Sequence, residues 1–126
     1  GQVYVADRGN GRIQIFTKDG TFIEEHFIMP ETRPGSSSGT VWDIDLSPDE
    51  AQTYLYVADG TNQKVWVLQR DTMEIVNSFG RRGRAAGEFH WLHKFAVDSQ
   101  GNIYTGEVHM TRRLQKLALQ NNVMAE

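Results

Sequence analysis

The residues best suited to chemistry in this chain are His93, in "WLHKFAVD", and three carboxylates that recur at one place in a repeated phrase, Asp7, Asp59 and Glu107. A neutral imidazole is the commonest nitrogen ligand of zinc, so His93 is a candidate metal ligand; its plainer role is a histidine hydrogen-bonded at the start of a strand. Each recurring carboxylate follows a small residue and precedes a polar turn, where its oxygens can accept backbone N–H groups and fix the turn. Asp43 and Asp45 stand beside Trp42. A basic run, "GRRGR" (Arg81, Arg82 and Arg84), has His90, Trp91 and Lys94 near it, with Arg112, Arg113 and Lys116 farther on. Single-stranded nucleic acid is held by clustered cations interleaved with exposed rings, and by this run Trp91 is the obvious stacking candidate. The formal net charge of −3 gives no general attraction to nucleic acid or anionic lipid, and a solvated loop is the better reading of the run. The serine-rich "GSSSG" (35–39) reads as a flexible loop that lacks the strand-to-helix elbow of a serine nucleophile.

These side chains have to be positioned by repeated elements. The phrases "VYVADRGNGRIQIF", "YLYVADGTNQKVWVL" and "IYTGEVHMTRRLQKL" align on Tyr4, Tyr56 and Tyr104. Spacings of about 50 residues match the blade-sized periods of repeat architectures. Each phrase is an apolar β-rich segment, a polar turn and a second apolar segment, and Gly9, Asn10, Gly11, Gly60 and Asn62 supply the turn chemistry of a hairpin. The alternation of Ile13-Gln14-Ile15-Phe16, and the apolar Val65-Trp66-Val67-Leu68, predict strands with a buried face. A third strand follows each hairpin at "TFIEEHF" and "MEIVNSFG", and another strand precedes the later phrases, at 41–47 ("VWDIDLS") and 93–99 ("HKFAVDS"). Four antiparallel strands per unit and no helical period predict an all-β chain, and radial repetition of such units is a β-propeller.

The motifs carry the resemblance further. "VYVADRGNGRIQIFTKDGTFI", "GRRGRAAGEFHWLHKFAVDSQGNIYTGEV" and "TRRLQKL" resemble the NHL repeat, with Gly80, Gly83, Gly87 and Phe89 in place before the third inner strand. The resemblance spans nearly the whole chain outside the loop from about Met29 to Gly39, and "SPDEAQTYLY" is longer than the usual turn. It implies one partial propeller domain over 1–126, of four-stranded antiparallel blades and about ten strands, with blade segments at about 1–28, 40–80 and 88–126. About two and a half blades are expected, as a fragment of a six-bladed parent or a truncated product. Open blade faces and strand edges are sticky, so self-association is expected, with two copies facing each other to complete a ring.

Inner strands of a propeller line its channel, which places His93 at the channel mouth in the position that Trp42 holds one blade earlier. Trp42, Asp43, Trp91 and Lys94 are then candidate ligand-binding residues. Among proteins of this kind, the lyase that cleaves peptidyl-α-hydroxyglycine to complete peptide amidation is similar. Its resemblance implies zinc held by inner-strand histidines and an arginine after Val-Ala-Asp, and carries these roles onto His93 and Arg8, with His109 in "GEVHMT" as a further metal candidate. The strands expected to hold the other ligand histidines have no counterpart in the sequence. The preferred expectation is therefore a non-catalytic module for binding or assembly, its ligand a peptide, protein or small molecule; a zinc-dependent lyase and an RNA-binding NHL module are the alternatives.

The absence of cysteine excludes disulfides and thiolate metal sites and is compatible with an oxidising or a reducing compartment. Apolar runs such as "VWVL" fall far below the roughly 20 residues of a membrane span. A soluble chain is expected, and secretion or a periplasmic location is compatible with it.

Overall fold

A computed structural model of the chain describes residues 1–32 and 38–120. Ten strands form three antiparallel sheets. The first sheet holds β1 (Gln2–Asp7), β2 (Arg12–Thr17) and β3 (Phe22–Phe27); the second β4 (Asp43–Leu46), β5 (Tyr54–Asp59), β6 (Lys64–Gln69) and β7 (Ile75–Phe79); the third β8 (Leu92–Val97), β9 (Ile103–Glu107) and β10 (Leu114–Leu117). Each sheet is a meander, with strands adjacent in the chain adjacent in space. A single 3-10 turn, Arg8–Asn10, is the only helical element among the described residues. No helix there is long and apolar enough to cross a membrane. The inner strands are shorter than the expected 41–47 and 93–99, because Val41 and Thr40 enter the core as loop and Asp98 turns into the hairpin of "SQGN". After β10, Ala118–Gln120 form no strand.

The repeat is reproduced down to the register. Tyr4 pairs with Ile15, Tyr56 with Val67 and Tyr104 with Lys116. A bulge follows Ile15 in the first sheet and Val67 in the second, at the same place in the phrase. Because side chains alternate across a strand, this register fixes which residues face the preceding sheet and which face the next.

Two apolar layers result. Ile13, Ile15 and Ile28 of the first sheet meet Val41, Leu55, Val57 and Leu68 of the second, with Tyr4 and Ala6 packed alongside. Ala58 and Val65 of the second meet Phe89, Leu92, Phe95 and Ile103 of the third, with Tyr56 and Phe79 alongside. Full burial of one such aliphatic side chain contributes about 1.5–3 kcal/mol, so these layers are what hold sheet to sheet. The inner strands β4 and β8 run side by side, and carboxylates bridge them: Asp43 accepts the N–H of Phe95 (3.1 Å) and Asp45 that of Val97 (2.8 Å). Sheet-to-sheet packing is thus both apolar and hydrogen-bonded.

Candidate functional site

The turns that follow the first strand of each phrase, and the segments that lead into the inner strands, lie at one end of the sheets. The second turn begins at Asp59. Its carboxylate accepts the N–H groups of Thr61 (3.0 Å) and Asn62 (2.9 Å), the Asn62 amide (2.7 Å) and the Trp66 indole N–H (2.9 Å). Burial pushes the Asp59 carboxyl up from its ordinary value, while these donors pull the other way. Asp7 fixes its turn through side chains, accepting from Asn10 Nδ2 (2.9 Å) and Arg12 Nε (2.8 Å). Glu107 differs: it accepts the N–H of His90 (2.6 Å) and pairs with Arg113 (2.5 Å), tying the β7–β8 loop to the third sheet. Burial raises the Glu107 carboxyl, but Arg113 and the His90 N–H outweigh it and leave the group below its ordinary value. The recurring carboxylates are structural, as their position before a turn suggests.

With the turns fixed, the candidate residues come together in a strip across all three sheets. The Arg8 guanidinium carbon, from the first turn, stands 4.6 Å from the centroid of the Trp42 ring. Trp42 meets His93 edge to face at 5.4 Å between centroids, and Trp91 at 5.9 Å. Trp91 in turn meets His109 at 5.0 Å and His90 at 6.4 Å. Arg8, Trp42, Trp91, His93 and His109 thus form one chain of contacts, with Trp42 and Trp91 half-buried and Arg8 and His109 exposed. Lys94, beside it on β8, pairs with Asp43 at 3.4 Å with most of its side chain in solvent. Asp43, a candidate ligand-binding residue, and Asp45 each give an oxygen to a backbone N–H of the neighbouring inner strand.

The strip is held from behind. The Trp42 indole N–H donates to the Gly39 carbonyl (3.0 Å) and to Thr61 Oγ1 (3.3 Å), and the Thr61 hydroxyl also donates to Gly39. Gly39 lies at φ +61, and a Cβ there would fall 1.5 Å from the Arg8 carbonyl oxygen, so only glycine fits beneath the first turn. Gly60 is equally confined, since a Cβ would come within 2.8 Å of the Trp42 ring and 2.3 Å of the Leu92 carbonyl. Sequence reasoning missed Gly39, Thr61 and Gly60 as supports; the glycine of "GTVWD" before an inner strand was the available signal. The other part of the serine-rich loop, Gly35 to Ser37, lies outside the described residues.

Trp91 and His109 both adopt left-handed backbone, at φ 59 and 60. For non-glycine residues this conformation is uncommon and persists only where the surroundings enforce it. Here the Val108 N–H donates to the Trp91 carbonyl (3.1 Å) and Thr111 Oγ1 to the His90 carbonyl (3.0 Å), locking the two loops against each other.

A zinc centre needs about three protein ligands. Among the described residues no group of three or more His, Cys, Asp or Glu side chains is placed to hold a metal ion. His93 lies against the Trp42 ring and His109 against the Trp91 ring, without a third such donor grouped with them among the described residues. The basic run is braced as a loop: Arg81 pairs with Glu88 (2.9 Å), and the Arg84 carbonyl accepts from Arg113 (2.7 Å). A cavity of about 600 Å³ opens toward the opposite end of the strands, between the second and third sheets, and is lined by sheet-packing residues such as Tyr56, Phe79, Ile103 and Leu117.

No curated protein matches the chain. The NHL repeat family model matches residues 1–16, and the three antiparallel sheets are consistent with a partial propeller built on that repeat.

Proposed function

We propose that the chain is a non-catalytic propeller module for binding, which takes its ligand on the strip from Arg8 to His109 and completes its propeller by self-association. The observation that carries the reading is the continuous contact of Arg8, Trp42, Trp91 and His109 across three sheets. Half-buried indoles give a rigid apolar platform, and Arg8 and Lys94 set cations at its margin. Such a surface favours a peptide that presents an aromatic side chain flanked by carboxylates, because rings stack on indole and exposed cations attract anions. The test is a titration followed by tryptophan fluorescence, with an acidic peptide carrying one aromatic residue and a basic peptide of equal length. Saturable binding of the acidic peptide, lost in Trp91→Ala and weakened by salt, is expected. Equal response to both peptides, or binding indifferent to Trp91→Ala, contradicts it.

The lyase reading keeps one specific observation in its favour: Arg8 and His93, the two residues its resemblance singles out, flank the same Trp42 ring. Elemental analysis of purified protein separates the two. Stoichiometric zinc that disappears in His93→Ala favours the lyase, and protein without zinc favours the binding module.

A further inference from the structure

Charge is placed unevenly on this fold. The turns between β2 and β3, β4 and β5, β6 and β7, and β8 and β9 lie at the end of the sheets away from the strip. They carry Asp19, Asp49, Glu50, Asp71, Glu74 and Asp98 against Lys18 and Arg70. At the strip's end, the carboxylates of the second and third sheets are taken up within the fold. Asp43 accepts from the Phe95 N–H and pairs with Lys94, Asp59 fixes its own turn, Glu88 holds Arg81 and the Ala85 N–H, and Glu107 holds Arg113 and the His90 N–H. The other carboxylates of that end, Asp7, Glu25 and Glu31, belong to the first sheet and the loop after it. Arg82 and Arg84, in the loop between β7 and β8, are exposed and have no carboxylate partner among the described residues. Their charge is left to face solvent.

We propose that Arg82 and Arg84 form an anion-binding arm of the strip, which receives the acidic residues of a peptide whose aromatic side chain sits on Trp42 and Trp91. The inference rests on the ligand reading of the strip given above and names where the ligand's carboxylates go. The arm is built beside the indoles. Arg82 bridges to Phe89, two residues before Trp91, through the Phe89 N–H on the Arg81 carbonyl (2.8 Å) and the Gly83 N–H on the Phe89 carbonyl (3.0 Å). The third sheet braces the rest of the loop, Arg113 donating to the Arg84 carbonyl (2.7 Å) and Gln115 to the Glu88 carbonyl (2.9 Å). A loop so fixed loses little freedom when a ligand arrives. Exposed ion pairs are individually weak, so the indoles supply most of the affinity while the arm selects acidic ligands and steers them in, away from the acidic turns at the far end. A nucleic-acid strand is the poorer fit. It brings a phosphate with every nucleotide and stacks successive bases on exposed rings, whereas this end offers one pair of half-buried indoles and one short cationic loop on a chain of net charge −3.

The experiment is a fluorescence titration with a peptide carrying one phenylalanine flanked by glutamates, with the same peptide carrying glutamines instead, and with a single-stranded oligouridine. The proteins are the wild-type chain, Arg82→Gln/Arg84→Gln, the charge-conserving Arg82→Lys/Arg84→Lys, and Lys18→Gln/Lys116→Gln as a control that removes the same charge elsewhere. All four positions are exposed, and circular dichroism checks that the sheets are intact. Arg82→Gln/Arg84→Gln is expected to bind the glutamate peptide about threefold or more weakly than wild type, with a shallower dependence on salt, and to bind the glutamine peptide as wild type does. The lysine variant and the control are expected to stay within about twofold of wild type. Glutamate-peptide binding that Trp91→Ala abolishes but Arg82→Gln/Arg84→Gln leaves unchanged, or that the control weakens equally, overturns the arm and leaves the strip in place. A lysine variant as weak as the glutamine one overturns the arm as a charge effect, and oligouridine bound more tightly than the glutamate peptide overturns the peptide assignment. A wild-type chain that binds no glutamate peptide overturns the strip reading and the arm with it.

Discussion

Trp42 and His93 occupy the same position of successive sheets, one place before Asp43 and Lys94, and their rings meet edge to face at 5.4 Å. A position repeated along the chain is therefore also a contact in space, and the strip grows from the repeat itself. An edge-to-face pair is worth about 0.5–1.5 kcal/mol beyond the area it buries. A double-mutant cycle on Trp42→Ala and His93→Ala, read from urea unfolding, is expected to give a coupling in that range. A coupling near zero would mean that the rings are neighbours without mutual stabilisation.

The bridge between inner strands makes a second prediction. Asp45 accepts the N–H of Val97, and Asp45→Ala leaves that donor without its partner. An unsatisfied buried donor costs about 1–3 kcal/mol. Hydrogen exchange at the Val97 amide is expected to accelerate more than that of the amides inside the β5–β6 hairpin, to which the Asp45 carboxylate makes no hydrogen bond.

Gly39 supplies a third. Gly39→Ala places a methyl group on the Arg8 carbonyl, and the first turn or the Trp42 loop must move. Loss of the Trp42 near-ultraviolet dichroism with little change in total strand content is the expected result. Gly20→Ala is the control, because a Cβ there meets nothing within 4 Å while its φ of +90 imposes a comparable backbone strain.

Acid should act through the turn at "SPDEAQ". Asp49 accepts from the Ser47 hydroxyl and from the Thr53 hydroxyl and N–H, which lower its pKa from 3.8 to about 2. A carboxyl lowered in the folded state stabilises the fold above its unfolded value and loses that contribution as pH falls through its folded value. The stability difference between wild type and Asp49→Asn is accordingly expected to be full above about pH 5 and to vanish as the pH falls from 3.8 toward 2. Urea midpoints across that interval measure it.

Much of this architecture could be read before any coordinates, and particular residues show why. Tyr4, Tyr56 and Tyr104 set the period, and alternation on either side of them separated the faces, because strand geometry is local and the repeat wrote it three times. The equivalence of Trp42 and His93 was legible for the same reason. Asp43 and Asp45 were not. Their partners, the N–H groups of Phe95 and Val97, are some 50 residues away, and no local pattern announces a hydrogen bond between adjacent inner strands. Gly39 was hidden by its neighbours, since a serine-rich setting suggests freedom where the structure imposes close contact with Arg8. Glu107 shares with Asp7 an arginine directly across the hairpin, Arg113 in the place of Arg12, but it alone accepts the N–H of His90, which lies 17 residues away and which no local pattern announces.

The claim at the centre of this account is that the strip at one end of the sheets receives the ligand. Amide chemical-shift mapping of the labelled chain, during titration with the acidic aromatic peptide, addresses it residue by residue. The largest shifts are expected at Arg8, Trp42, Trp91, His93 and His109, with saturation at a common concentration. Shifts confined to the 600 Å³ cleft around Tyr56, Phe79 and Leu117, with the strip unmoved, would contradict it.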